Sequence, residues 1–143
     1  MTGIYKYLII KPLKLVVQFH QNDLTFNGIK KLKQSIIDDP EYNSSYNFII
    51  DLRLANIKMD QNELHLYGDW VESILNDEKK HLSLLTLNSR QVISALLFKL
   101  NDNFKNLHYD VFSTMEGALT HVDVDISNMP FVESEIDKLK VEV

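Results

Sequence analysis

The alternation of apolar and polar positions at the start of the chain predicts two β-strands. Segments Ile4 to Ile10 and Leu13 to His20 are rich in β-branched and aromatic residues, and the second alternates as a half-buried strand should. Lys11 and Pro12 lie between them, and a proline, which has no backbone N–H, fits a turn or a sheet edge. We therefore expect an antiparallel pair of strands.

From Leu24 onward the apolar residues recur every three or four positions, which predicts an amphipathic helix. Thr25 is placed to accept a backbone N–H as the N-cap, and the helix must end before Pro40 because residues that precede proline avoid helical geometry. A polar turn then leads into Phe48 to Leu52, a short apolar run typical of a buried parallel strand. Together these elements form a β-α-β unit.

The same alternation of strand and helix continues along the chain. Asp60 and Glu63 form a predicted capping box for a helix that ends near Leu75. A strand over residues 81–87 follows, and then a helix that is capped by Ser89 and ends near residue 101. The last strand covers residues 108–112. The helix after it starts at a capping box of Ser113 and Glu116 and ends near residue 121. The pattern predicts an α/β fold with a mixed five-stranded sheet, its first strand antiparallel and the rest parallel, and about four helices.

Length and composition fit one domain with an appended tail. The chain has 143 residues, of which 45% are hydrophobic and 24% are charged, which is ordinary globular usage. We assign residues 1–122 to the α/β domain and residues 123–143 to an acidic C-terminal tail, in which Pro130 can start a short helix. The apolar residues of the tail suffice for docking on the domain, while a swapped or partner contact is the alternative.

Charge and cysteine content narrow the possible functions. The net charge of −5 disfavours nucleic acid and anionic membranes as partners, and the lack of cysteine removes disulfides, thiolate metal sites and thiol nucleophiles. The early apolar stretch is interrupted by Lys11, Pro12 and Lys14, so it fits neither a signal peptide nor a membrane span. We expect a cytoplasmic protein.

Four segments of the sequence carry a resemblance to a known family. They are the Leu24-Thr25 helix opening, the Asp-Pro-Glu-Tyr turn at residues 39–42, the strand NFIIDLR at residues 47–53, and the segment VFSTMEGAL at residues 111–119. Over about residues 4–122 the chain resembles the STAS-like, SpoIIAA-like domains, which are small bacterial proteins related in fold to anti-sigma-factor antagonists. The resemblance implies a β-α-β fold and a partner-binding role.

The resemblance does not extend to the phosphorylation switch of the best-known branch of that family. In that branch a serine within an Asp-Ser-Ser-Gly pattern is phosphorylated at the start of the second helix. The matching stretch here, residues 57–62, contains neither a hydroxyl side chain nor a glycine. Asp60 is an acidic N-cap in this position, which is the simpler account of a carboxylate at the start of a helix.

Residues that follow the predicted strands form a candidate site for a small anion. They are Arg53, Ser89, Arg90, Ser113 and Thr114. Ligands of parallel sheets collect at the carboxyl ends of strands, where guanidinium groups and helix N-terminal amides can bind an anion. The favoured alternative is that the serines are helix caps, that Arg53 pairs with Asp51 on its own strand, and that Arg90 is a surface residue.

The sequence offers no recognisable catalytic or cofactor-binding motif. It has no Gly-x-Ser-x-Gly elbow, and its four glycines cannot form a P-loop or a dinucleotide fingerprint. His65 and Asp69 stand one helical turn apart, but such pairs are common on solvated helix faces, and the other four histidines have no ligand spacing. We therefore expect no enzyme, no cofactor and no metal.

Apolar residues outside the predicted core stripes indicate a contact surface. Leu66 and Trp70 fall beside the inward stripe of the second helix, and Phe98 lies opposite the predicted inward face of the third. That predicted inward face consists of Val92, Leu96 and Leu100. We expect Leu66, Trp70 and Phe98 in an interface, with additional core contact as the alternative.

The sequence as a whole predicts a non-enzymatic binding or regulatory module that acts through protein–protein contacts. We expect the partner to be a second copy, giving a homodimer, or another protein. The alternative function is that of a carrier for a small apolar ligand such as a lipid, because the nearly all-apolar third helix could line a pocket.

Overall fold

The computed structural model describes residues 1–75 and 77–142. The strands are β1 (Ile4–Ile10), β2 (Leu15–Leu24), β3 (Asn47–Ile57), β4 (Lys80–Leu85) and β5 (Leu107–Phe112). The helices are α1 (Phe26–Asp38), α2 (Gln61–Leu75), α3 (Ser89–Lys99), α4 (Met115–His121) and α5 (Met129–Asp137), with short 3-10 turns at Lys11–Leu13 and Ile126–Asn128.

The five strands form one mixed sheet in the order β1-β2-β3-β4-β5. β1 is antiparallel to β2, and every later neighbour is parallel. The predicted fold class is therefore confirmed. Throughout the described residues, no helix combines the length and the apolar character needed to cross a membrane.

Helices α1, α2 and α3 cover one face of the sheet. Because successive strand residues point to opposite faces, only alternate strand residues enter this core. The buried apolar strand residues on this face are Val16, Leu24, Phe48, Ile50, Leu52, Ala55, Leu82, Leu84, Leu107 and Tyr109. Ile36 of α1 and Val71 of α2 are fully buried against them.

Helices α4 and α5 cover the opposite face. The strand residues buried there are Ile10, Leu15, Val17, Phe19, Ile49 and Leu85. Val132 and Ile136 of α5 are fully buried in this second core. Gln21 of β2 holds the segment after α5, since its Nε2 donates to the Val141 carbonyl (2.7 Å) and its Oε1 accepts from the Val141 N–H (2.9 Å). The C-terminal segment is thus packed on the domain.

Two predicted helix caps are confirmed. Thr25 accepts a hydrogen bond from the Gly28 N–H (3.2 Å) at the start of α1. At the start of α2, the Asp60 carboxylate accepts from the Glu63 N–H (2.8 Å), and the Glu63 carboxylate accepts from the Asp60 N–H (3.2 Å). This reciprocal pair is the predicted capping box.

Two other predicted caps are wrong by one residue. Asn88, not Ser89, caps α3, and its side chain accepts a backbone N–H three residues on (3.0 Å). Thr114, not Ser113, caps α4 in the same manner (3.1 Å), so Glu116 does not form the predicted box. Asparagine and threonine are good N-cap residues themselves, so neighbouring positions offered equivalent choices.

Candidate functional site

The orientation of α3 is the opposite of the predicted one. The side that faces the sheet is formed by Gln91, Ala95 and Phe98, all of which are buried. Leu96 and Leu100, which were expected to face inward, are 46% and 73% exposed. The helix therefore turns a face containing a polar glutamine toward the core and leaves large apolar side chains outside.

Gln91 explains this orientation because its amide group is fully used. Its Nε2 donates to the carbonyl oxygens of Arg53 (3.2 Å) and Ala55 (3.0 Å), where β3 extends beyond β4. Its Oε1 accepts from the backbone N–H groups of Leu87 (2.7 Å) and Asn88 (3.2 Å). A buried amide with all of these partners avoids the cost of desolvation and ties α3 to the sheet.

The outward side of α3 and its C-cap residue carry four exposed apolar side chains, which we name the α3 stripe. Its members are Ile93, Leu96, Leu97 and Leu100, with exposed fractions of 59%, 46%, 36% and 73%. Scattered apolar residues are normal on a protein surface, but several on one side of one helix mark a contact surface. The α3 stripe is the strongest candidate for a functional surface among the described residues.

The three residues predicted for an interface do not form one surface. Phe98 is 6% exposed and packs in the core against Tyr67, Phe104 and Tyr109, with ring centroids 4.8 to 5.9 Å away. The expectation that Phe98 lies outside is therefore wrong. Apolar periodicity does not predict this inward face because one of its positions is occupied by the polar residue Gln91.

Leu66 and Trp70 lie apart from the α3 stripe, on the side of α2 that faces α1. Leu66 is 46% exposed, whereas Trp70 is partly buried against the larger core. The Lys30 ammonium of α1 lies 5.1 Å from the centroid of the Trp70 ring, which is a cation–π distance. A role for Leu66 in a contact stays a prediction.

Arg53 is engaged by carboxylates and is not free to bind an anion. Its guanidinium group donates to both oxygens of Asp51 (2.9 and 3.0 Å) and to both oxygens of Glu133 on α5 (2.7 and 3.1 Å). Burial lowers the pKa of Arg53, but the hydrogen bonds and charges of the two carboxylates outweigh burial and raise it. The sequence predicts the pair of Arg53 with Asp51 on the same strand, but it does not predict the contact of Arg53 with Glu133.

The other predicted anion-site residues serve different roles. Ser89 and Arg90 are exposed in the first turn of α3. Ser113 is exposed ahead of α4, and the Thr114 hydroxyl is occupied as the cap of that helix. The Arg53 guanidinium and the Thr114 hydroxyl are thus already engaged, and a role of Ser89, Arg90 and Ser113 in anion binding stays a prediction.

Three histidines that are far apart in the sequence form a cluster in the fold. His81 of β4 lies between His108 of β5 and His121 of α4, with ring centroids 5.4 and 5.0 Å from its own. Nδ1 of His81 is buried and has no hydrogen-bond partner in the described part of the chain. Burial lowers the pKa of His81, as do the neighbouring histidines when protonated. Only the folded chain brings these residues together.

A second polar cluster is buried in the larger core, beneath α1. Gln18 Nε2 and His20 Nε2 lie 2.9 Å apart on β2, and burial lowers the pKa of His20 to about 3. Lys33 of α1 is fully buried with its ammonium 4.2 Å from the centroid of the Phe48 ring, and burial lowers its pKa to about 7. Within residues 1–75 and 77–142, the Lys33 Nζ atom has no hydrogen-bond partner.

An apolar cavity lies between the sheet and helices α2 and α3. Its volume is about 40 Å³, and its walls include Leu52, Leu64, Phe98 and, at one side, Gln18. Pockets for small organic ligands are typically about 300 to 1,000 Å³. The cavity has room for an ordered water molecule but not for a lipid chain.

The His65–Asp69 pair on α2 lies on the surface. His65 Nε2 and Asp69 Oδ2 are 3.4 Å apart, and both side chains are more than a third exposed. Asp69 also accepts hydrogen bonds from the side chains of Asn101 (3.1 Å) and Asn103 (2.8 Å). Among the described residues, no group of three or more potential ligands is arranged to hold a metal ion.

Comparisons of this chain with protein-family models, with curated proteins and with solved structures find no match.

Proposed function

We propose that this chain is a non-enzymatic binding module that acts through protein–protein contacts, and that the α3 stripe is its contact surface. The observation that carries the proposal is the exposure of four large aliphatic side chains on one side of α3 and its C-cap. Exposure of this apolar surface to water is unfavourable in free energy, and a protein partner that covers the surface removes the unfavourable contribution.

The size of the surface suits a reversible contact. Completing the burial of a half-exposed aliphatic side chain contributes on the order of 1 kcal/mol, so four of them contribute on the order of 4 kcal/mol before the entropic cost of association. This amount does not support an obligate complex by itself. We therefore expect additional polar contacts around the stripe and a weak, reversible association.

The resemblance to STAS-like domains supports the same proposal, because it implies partner binding on a fold of this class. The lack of cysteine fits a reducing compartment, and we propose a cytoplasmic location. The alternative of a lipid carrier is less well supported, because the apolar cavity of about 40 Å³ would have to expand several-fold to hold a lipid chain.

The test is to place a charge in the centre of the α3 stripe. We expect Leu96→Glu to abolish association of the chain with itself and with any protein that the wild-type chain binds, while the folded state is retained because Leu96 is already 46% exposed. The matched control is Phe131→Glu, which changes a residue of similar exposure, 50%, on α5. If Leu96→Glu and the control behave alike in sedimentation and in binding, the α3 stripe is not the contact surface.

A further inference from the structure

Three buried side chains with polar atoms line the apolar cavity between the sheet and helices α2 and α3. They are Gln18 of β2, Tyr67 of α2 and Tyr109 of β5. Their exposed fractions are only 0%, 4% and 7%. Three separate elements of the fold thus bring a polar group to the wall of one small cavity.

The Gln18 amide leaves one of its two polar atoms unused. Its Nε2 lies 2.9 Å from Nε2 of His20, whereas its Oε1 is buried and has no hydrogen-bond partner in residues 1–75 and 77–142. If the two amide atoms are exchanged, Oε1 faces His20 and Nε2 is left without a partner instead. Buried polar atoms in native proteins nearly always have a partner, which is either another group of the chain or an ordered water molecule.

The two tyrosine hydroxyls are near neighbours of this amide. Burial raises the pKa of Tyr67 well above its ordinary value, and the nearby Tyr109 adds to the rise, whereas a hydrogen bond with the Gln18 side chain opposes it. Interactions of this kind need the three groups to be close together. We therefore name Gln18, Tyr67 and Tyr109 the polar corner of the cavity.

The size of the cavity fits water. Its volume is about 40 Å³, and one buried water molecule needs about 10 to 15 Å³. A buried water typically makes about three hydrogen bonds to polar groups of the protein. The polar corner offers three such groups, namely one amide atom and two hydroxyls that can each donate or accept.

We propose that the cavity is a hydration site in which an ordered water molecule joins the Gln18 amide to the hydroxyls of Tyr67 and Tyr109. The water donates to Gln18 Oε1 and so satisfies the amide atom that the chain leaves without a partner. Because the three side chains come from β2, α2 and β5, the water ties α2 to two strands from inside the core. The site is independent of the α3 stripe, because other residues of α3 line the cavity.

NMR cross-relaxation between water and the protein tests the proposal. We expect the Ala95 methyl group, which lines the cavity, to show a cross-peak with a long-lived water in the wild-type chain. Gln18→Met keeps the length of the side chain but removes the amide, so the cross-peak should be lost. Both tyrosine hydroxyls are kept in this variant, and a signal relayed through them would therefore persist.

Xenon provides a second readout of the same variant. Apolar cavities that stay dry bind xenon, whereas a resident water has to be displaced first. We expect xenon to shift the Ala95 methyl resonance in Gln18→Met and to leave it nearly unchanged in the wild-type chain. Equal xenon shifts in the two proteins would contradict the hydration site.

Two milder variants complete the test. Tyr109→Phe removes one hydroxyl of the polar corner and should weaken the water cross-peak, which keeps the proposal testable if Gln18→Met does not fold. The matched control is Ser94→Ala, which removes a hydroxyl from another residue of the cavity wall and should leave the cross-peak unchanged. The proposal is overturned by a wild-type chain without the cross-peak, by its persistence in Gln18→Met, by an unchanged cross-peak in Tyr109→Phe, or by its loss in Ser94→Ala.

Discussion

A half-buried cation, Arg53, and a fully buried one, Lys33, differ in the groups that surround them. Arg53, on the face covered by α4 and α5, is held by two carboxylates, those of Asp51 and Glu133. Lys33, on the face covered by α1, α2 and α3, is fully buried over the ring of Phe48, and no carboxylate pairs with it in the described residues.

The pKa of a positively charged side chain that is removed from water can therefore change in either direction, depending on its neighbours. Where carboxylates surround the cation, as at Arg53, the charge is kept and the pKa rises. Where no carboxylate pairs with the cation, as at Lys33 within the described residues, burial lowers the pKa to about 7 and the amine loses its charge near neutral pH. Removal of the two cations should therefore change stability in opposite directions.

The largest expected effect is that of Arg53→Met. This substitution leaves the Asp51 carboxylate, whose side chain is 4% exposed, without its cation. Breaking a buried pair on one side typically costs about 3 to 5 kcal/mol, and we expect the lower end of that range because the Arg53 side chain is 23% exposed. Urea denaturation measures the loss. A free energy of unfolding within 1 kcal/mol of wild type would show that Asp51 does not depend on Arg53.

The opposite effect is expected for Lys33→Met. The thioether chain keeps the packing of the lysine stem on Phe48 and removes the cost of burying an amine, so the free energy of unfolding should rise by roughly 1 to 3 kcal/mol at pH 6. The matched control is Lys31→Met on the exposed side of α1, which should change stability by less than about 0.5 kcal/mol. A destabilised Lys33→Met variant would mean that the ammonium group has a favourable role.

The pH dependence of the free energy of unfolding tests whether the buried Lys33 has a lowered pKa. Its pKa in the folded chain, about 7, is below the ordinary value of 10.5, so between these values the unfolded chain binds a proton that the folded chain does not. The free energy of unfolding should therefore rise with pH from 7 to 9, by at most about 1.4 kcal/mol per pH unit. Lys33→Met should remove this rise. Parallel pH profiles for the two proteins would contradict the assignment.

The smallest expected effect is that of Glu133→Gln. Arg53 keeps its bonds to Asp51, and the lost pair involves a Glu133 side chain that is 38% exposed, so a loss of about 0.5 to 1 kcal/mol is expected. Because Glu133 is the ion-pair link from α5 to β3, hydrogen exchange should quicken in residues 129–142 while α1 is unaffected. Hydrogen exchange that quickens equally across the chain would show that the ion pair of Arg53 and Glu133 does not act locally on α5.

The order of strands and helices was predictable from the sequence because it depends on local periodicity. The five-stranded mixed sheet and the caps at Thr25 and Asp60 follow from patterns a few residues long. The exact caps of α3 and α4 did not follow, since adjacent residues have similar capping ability. Sequence patterns a few residues long thus predict the fold class, but they do not predict the first residue of every helix.

The candidate site was less predictable because it depends on tertiary hydrogen bonds. Apolar periodicity assigns Leu96 and Leu100 to the core, but Gln91 faces inward because β3 offers it two free carbonyl oxygens. That pairing has no signature in the sequence of α3. The interaction of Arg53 with Glu133 is hidden for the same reason, as 80 residues separate the two.

The most direct test of self-association through the α3 stripe is the mass of the wild-type chain in solution across a dilution series, measured by sedimentation equilibrium. We expect a mass that rises with concentration from 16.7 kDa toward twice that value for the wild-type chain, and a mass that stays near 16.7 kDa for Leu96→Glu. A wild-type mass of 16.7 kDa at every concentration, or an equal rise for Leu96→Glu, would contradict self-association through the α3 stripe.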